Sequence, residues 1–330
     1  MSKRFAPLAL VLGLLLALSA AAPAAALEKV ACSEAVRGFF FVPLYVAHGL
    51  KLFEKQGLEV EIVSTQGGPL AMQALVAGQV QFCATGHGQV ANMWTKGKST
   101  KIVNEMQDKC TFYLISRPEY KSIAELKGKD VGCSKIGAET YAVGLYLAAQ
   151  AGMDPAKDIN MVGVGGMGPM AGALENNRVA AAMAWQPLVT QLVQDKKANL
   201  LAALNTAAES RKHFGSPDYS FSVIQVTDEF IKEKPETVQK FVNAMLQAEK
   251  WIQTASLDQF TAVVAPYFQG MSPEVIKASL AMDKEACSAS GLVTKEGHDT
   301  AVKVFTGAGA IDRPVPFEAI VDNSFVQKAK

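Results

Sequence analysis

The chain has 330 residues, of which 49% are hydrophobic and 19% charged, with a formal net charge of +1. That balance excludes a disordered, collagen-like or coiled-coil chain. With no long run of like charge, it also argues against broad binding to nucleic acid or to an anionic membrane through a basic surface.

In chain order, Lys3 and Arg4 come first and precede an uncharged stretch over residues 5–27. Its apolar centre, 8–18, is short for a membrane span and runs into small residues, with Ala24-Ala25-Ala26 reading as a cleavage site. The expectation is a signal peptide over residues 1–26 and an exported, periplasmic mature chain; a retained anchor is the alternative. Without the 26-residue leader, 304 residues remain, enough for two lobes at roughly 150 residues per domain. Five cysteines (Cys32, Cys83, Cys110, Cys133 and Cys287) have no C-x-x-C pair and no metal-like spacing, so no metal or cofactor is expected. Four lie in apolar, strand-like runs as small buried hydrophobes, with a disulfide between neighbouring strands as the alternative.

Short apolar runs then alternate with helical patterns, the signature of β-α-β units and mainly parallel sheets. The first series predicts strands over 29–33, 58–63, 79–85, 101–105 and 111–116, with helices opening at Pro43 and after Gln66-Gly67-Gly68-Pro69. A second series begins after Arg117-Pro118: a short helix at 122–127, strands at 130–134, 160–164 and 179–185, and helices at 139–151 and 169–176. A β-rich run at 219–226 can rejoin the first sheet, and from Pro235 the chain reads as almost wholly helical. The division is therefore 27–117 with 221–330 as lobe I and 118–220 as lobe II, around a cleft.

In open parallel sheets, ligands sit beyond the carboxyl ends of the strands. The loops there supply the candidates. After the first strand come Ser33, Arg37, Phe39 and Phe40: a guanidinium fit to grip an anion beside rings that can line a cleft. Gln66, Gly67 and Gly68 bring backbone amides to a helix start, and Thr85 with His87 repeats the arrangement, His87 standing between two glycines as an exposed residue. From the second lobe come Ser134, Lys135, Glu139 and Thr140, the glycine-rich turn at Gly166, and the wall formed by Trp185 with Gln186. For Arg37, the rings, His87 and Trp185, plain surface or packing roles compete with ligand contact. The run Gly163-Val164-Gly165-Gly166-Met167-Gly168 has the form of a dinucleotide fingerprint but no acid about 20 residues on, so it reads as a turn facing the cleft. No catalytic motif is present, and the four histidines have no metal-like spacing.

Residues 122–132 (SIAELKGKDVG), 74–82 (ALVAGQVQF) and 179–187 (ending Trp185-Gln186-Pro187) resemble segments of the nitrate/sulfonate/taurine and thiamine-precursor-like substrate-binding proteins of ABC importers. The resemblance covers most of residues 30–230. It implies an α/β fold of the two-lobed type II periplasmic binding protein kind, no catalysis, and delivery of a small molecule to a membrane permease and its ATPase. Gln186 replaces the acid usual between Trp and Pro in the family, which removes a partner for a cationic amine. The expected ligand is a small organic anion, a carboxylate or sulfonate with an apolar or aromatic body, held by a monomer. The alternatives are an enzyme on the same fold and a ligand-sensing module.

Overall fold

The computed structural model describes residues 26–329. The leader expected over residues 1–26 lies outside the described residues apart from Ala26.

Ten strands follow in chain order: β1 (Glu28–Glu34), β2 (Leu58–Ser64), β3 (Phe82–Gly86), β4 (Thr100–Gln107), β5 (Phe112–Ser116), β6 (Lys129–Cys133), β7 (Ile159–Gly163), β8 (Ala181–Trp185), β9 (Asn199–Ala203) and β10 (Ser222–Thr227). They form two five-stranded sheets, ordered β2-β1-β3-β10-β4 and β7-β6-β8-β5-β9. In the first, β1 runs parallel to β2 and β3, while β10 is antiparallel to β3 and β4. In the second, β6 runs parallel to β7 and β8, while β5 is antiparallel to β8 and β9. The sheets thus share one plan, and in each the antiparallel strand is the one by which the chain arrives from the other sheet.

Two crossings join the sheets, at residues 108–111 and 215–221, and they lie side by side. The Tyr219 N–H donates to the Asp108 carbonyl and the Phe221 N–H to that of Gln107, each at 3.0 Å. Lys109 ties the two segments further, 3.0 Å from Asp108 and 3.3 Å from Asp218. The run at 111–116, grouped by sequence with the first series, is β5 and belongs to the second sheet. The chain therefore changes sheets before Arg117-Pro118. Every residue of β5 is buried, so its apolar pattern carries no face preference, and its place is set by pairing with β8, Phe112 opposite Trp185.

Helices form where the pattern requires. Helix Pro235–Thr254 buries Val238, Phe241, Val242, Met245, Ala248 and Ile252, the three-and-four spacing of one face, and lays it on helices Val42–Gly49 and Leu52–Lys55. Phe241 stacks on Phe82 of β3 with ring centroids 3.8 Å apart. The tail is not confined to the first sheet: helix Pro273–Asp283 packs on Leu188–Gln194, and helix Lys295–Gly307 packs on both His87–Thr95 and Glu139–Gln150. All five cysteines are buried thiols. No helix among the described residues is long and apolar enough to cross a membrane.

Candidate functional site

A cavity lies between the sheets, at the carboxyl ends of β1, β3 and β6. The first sheet supplies Val36, Phe40 and Phe41 from the loop after β1, Gly68, and Thr85, Gly86 and Gln89 around the end of β3; the second supplies Phe112, Ser134, Ala138, Glu139 and Thr140; Phe221 and Ser222 come from the end of a crossing and the start of β10. About 30 Å³ of it is open to the centre of a water-sized sphere, room for on the order of one or two waters. An organic ligand would need the walls to move apart to enter.

The apolar wall is an aromatic cluster. Phe40 meets Phe41, Phe112, Trp185 and Phe221 at centroid separations of 4.5, 5.7, 5.7 and 6.3 Å, all edge-on. This arrangement presents both faces and edges to whatever lies beside it.

The polar wall is built from helix starts. Helices Gly68–Val76, His87–Thr95 and Glu139–Gln150 begin at the cavity, and none has a side-chain cap at its N-terminus. Elsewhere Thr206, Thr227, Ser256, Ser272 and Thr294 each accept a backbone N–H at a helix start, while helices Val42–Gly49, Met167–Glu175, Leu188–Gln194 and Pro235–Thr254 also begin without a side-chain cap. The three starts at the cavity bring the positive ends of three helix dipoles, from both sheets, to one space. At one of them the His87 amide donates to the Phe221 carbonyl at 2.9 Å, and the Gly88 and Gln89 amides act on Glu139. Glycine permits the closeness: a Cβ at Gly68 would overlap the Gln89 amide, and one at Gly86 would overlap Glu139 Oε2. Among the hydroxyls, Ser134 Oγ and Thr140 Oγ1 share a hydrogen bond of 2.9 Å, and Thr85 donates to Gln89 Oε1 at 2.9 Å.

Among the described residues, Glu139 is the one ionisable group lining the cavity. Its Oε1 accepts from the Tyr219 hydroxyl at 2.8 Å, and Oε2 is buried with no partner. Burial pushes its carboxyl up to about 8, against the smaller opposing pull of Tyr219 and of the Gln89 and Gly88 amides. At neutral pH the group is mainly uncharged.

Of the residues singled out in the sequence, Phe40, Gly68, Thr85, Ser134, Glu139 and Thr140 come together in the lining. Arg37 does not. Its Nε lies 2.9 Å from Glu34 Oε1 and its guanidinium covers the Tyr45 and Tyr267 rings at 5.0 and 5.8 Å. Glu34, three residues earlier, holds it at the side of the site. His87, expected to be exposed, is fully buried. Its Nδ1 meets Ser220 Oγ at 2.8 Å, its Nε2 meets His298 Nδ1 at 2.9 Å, and His298 Nε2 meets the Val315 carbonyl at 2.9 Å. That carbonyl can only accept, so the protons fall in one order: His298 donates from Nε2, His87 donates from Nε2, and Ser220 donates to His87. Helix Lys295–Gly307 covers His87, which accounts for the difference from the sequence reading.

Ser33 donates to the Ala71 carbonyl at 3.1 Å, fixing helix Gly68–Val76 from beneath. Phe39 is buried edge-on to Phe268 at 4.8 Å. Gln66 and Gly67 are outside the lining, where a Cβ at Gly67 would come within 2.9 Å of Lys135 Cβ and one at Gly165 within 3.5 Å of Gln66 Oε1. Lys135 thus packs across the gap on the opposing loop, and Gly166 borders open space. Trp185 stands behind Phe40 and donates from Nε1 to the Arg37 carbonyl at 2.9 Å, a bond between the two halves. Gln186 is buried, accepting from Thr190 N and Oγ1 at 3.0 and 2.8 Å. Sequence reading did not select Ala35, Val36, Gly86, Gln89, Phe112, Ala138, Phe221 or Ser222. For Gly86 and Gln89 the signal was the helix start itself; for Phe112 and Phe221 it was their places beside the two crossings.

The profile of the family described as NMT1/THI5 like matches residues 39–255. The Bacillus subtilis protein named "Putative binding protein YtlA" is 22% identical over 96% of this chain and 94% of its own length. The alkanesulfonate-binding protein SsuA of Xanthomonas axonopodis pv. citri, solved with MOPS bound, superposes with a TM-score of 0.73 at 17% identity, covering 90% of this chain and 99% of that one. The periplasmic nitrate-binding protein NrtA of Synechocystis PCC 6803 gives 0.70 at 13% identity, with 92% and 86% covered. Two sheets of shared plan, joined by paired crossings around a cavity, are the periplasmic binding protein fold of these neighbours, and the chain belongs to the NMT1/THI5-like family.

Proposed function

We propose that this chain is the periplasmic solute-capturing component of an ABC import system. It takes a small organic anion, a carboxylate or sulfonate on an apolar or aromatic body, between its two sheets and hands it to a membrane permease driven by an ATPase. The observation that carries the reading is the meeting of three uncapped helix N-termini, from both sheets, at one aromatic cavity. Amides at helix starts favour negative charge. The rings of Phe40, Phe112 and Phe221 suit a hydrocarbon or aromatic body. Glu139, mainly uncharged at neutral pH, does not repel an anion. The names of the alkanesulfonate-binding and nitrate-binding neighbours support the same ligand class.

The mechanism is capture without chemistry. A ligand touching Gly68 and Gly86 on one side and Ser134 and Thr140 on the other contacts both halves only when they are together. Its binding energy therefore shifts the population toward the shut arrangement, the form that docks on the permease. A thermal-midpoint screen tests this. A ligand at 100 times its Kd stabilises the fold by about 2.7 kcal/mol. Aromatic carboxylates and sulfonates are expected to raise the midpoint and to be recovered unaltered. A rise with cationic or neutral compounds alone, or turnover of the captured compound, would overturn the reading.

A further inference from the structure

We propose that Glu139 meets the captured anion as an uncharged acid, donating a hydrogen bond from Oε2 to the ligand's acid group, so that capture requires a proton on this side chain. The inference rests on the reading of the cavity as an anion site.

The geometry assigns the proton. Oε1 accepts from the Tyr219 hydroxyl at 2.8 Å and so acts as the carbonyl oxygen of the acid. Oε2 is buried beside Gly86 of the lining and has no partner, so a hydrogen carried there finds no acceptor within the protein and is free for a ligand oxygen. Among the described residues, no basic side chain lines the cavity to balance a second negative charge. A carboxylate and a ligand anion side by side in that setting would repel strongly, whereas an acid and an anion form a charge-assisted hydrogen bond.

The groups that face Glu139 leave the proton in place. Tyr219 and Cys110 are each held well above their ordinary values by burial, so both stay neutral through the range in question. On the helix opposite, burial holds the His87 imidazole well below its ordinary value, and it is neutral too. The Gly88 and Gln89 amides pull toward the ionised form, but burial outweighs them, and the carboxyl titrates at about 8. With one proton required, affinity falls as pH rises through that value.

The test is calorimetric titration of wild type and Glu139→Gln with benzoate and benzenesulfonate at pH 7 and pH 9, with benzylamine as the cationic control. In wild type, anion affinity is expected to be about tenfold weaker at pH 9 than at pH 7. Binding at pH 9 should also take up a proton, read from the dependence of the heat on buffer. In Glu139→Gln, whose amide does not titrate, the change in anion affinity between pH 7 and pH 9 should shrink to less than about threefold. If the anions bind wild type with no pH dependence and no proton uptake, the inference falls while anion capture stands. If benzylamine binds instead and Glu139→Gln abolishes it, or if no probe binds, the anion reading falls and this inference with it.

Discussion

Gly86→Ala tests the closest approach between the two halves. Gly86 has φ −81° and ψ 144°, a conformation alanine adopts freely, so the substitution carries no backbone strain. The added methyl would overlap Glu139 Oε2 and approach Glu139 Cδ at 2.6 Å. Glu139 cannot yield freely, because Tyr219 holds its Oε1 at 2.8 Å and the residue is buried. Overpacking of this kind costs about 1–3 kcal/mol, and loss of the Tyr219 hydrogen bond adds about 1 kcal/mol. A net loss of about 2 to 4 kcal/mol lowers the melting midpoint by about 3 to 6 °C in a chain of this size. The decisive assay is a double-mutant cycle by calorimetric melting. In a Glu139→Ala background the three atoms nearest the methyl are gone, and Gly86→Ala should cost less than about 0.5 kcal/mol. A cycle in which the two substitutions add, with Gly86→Ala as costly beside alanine as beside glutamate, would refute the contact.

Two further outcomes follow from the same geometry. Burial raises Glu139 to about 8 and Asp283 to about 7, both above their ordinary carboxyl values. Their contributions to stability are therefore complete below about pH 4 and are lost as pH rises through about 7 and 8, a few kcal/mol for each. The melting midpoint should fall between pH 6 and pH 9, and Glu139→Gln with Asp283→Asn should flatten that slope; an equal slope in the double variant would contradict the assignment. The Trp185 indole bonds the Arg37 carbonyl across the gap. Trp185→Phe should weaken capture of any ligand about fivefold, the equivalent of about 1 kcal/mol, and an unchanged Kd would show that this bond does not hold the halves together.

Much of the fold was legible because its elements are local. The runs at 29–33, 58–63, 130–134 and 160–164 fall within a residue or two of β1, β2, β6 and β7, since apolar stretches bounded by glycine turns specify strands directly. The misplaced strand β5 shows the limit: the crossing before it spans four residues, 108–111, with no Gly or Pro to mark it, whereas Arg117-Pro118 offered a conspicuous break inside the second sheet's territory. Strand β9 was missed because it is a short edge strand with Leu200 exposed, too weak an alternation to stand out. In the site, the glycine-bearing helix starts were legible because glycine is needed where backbone approaches closely. The burial of His87 was not, because its cover comes from His298, 211 residues away. Arg37 is different in kind: its partner Glu34 lies three residues earlier in the sequence, so the local pairing was available to be read.

The most direct measurement of the account is a crystal structure of the protein soaked or grown with benzenesulfonate. The acid group is expected between Gly68, Gly86 and Glu139 with its ring beside Phe40 and Phe112, touching residues of both sheets at once. An anion seated instead on Arg37, or on one half alone with the gap between Gly67 and Lys135 shut and empty, would contradict it.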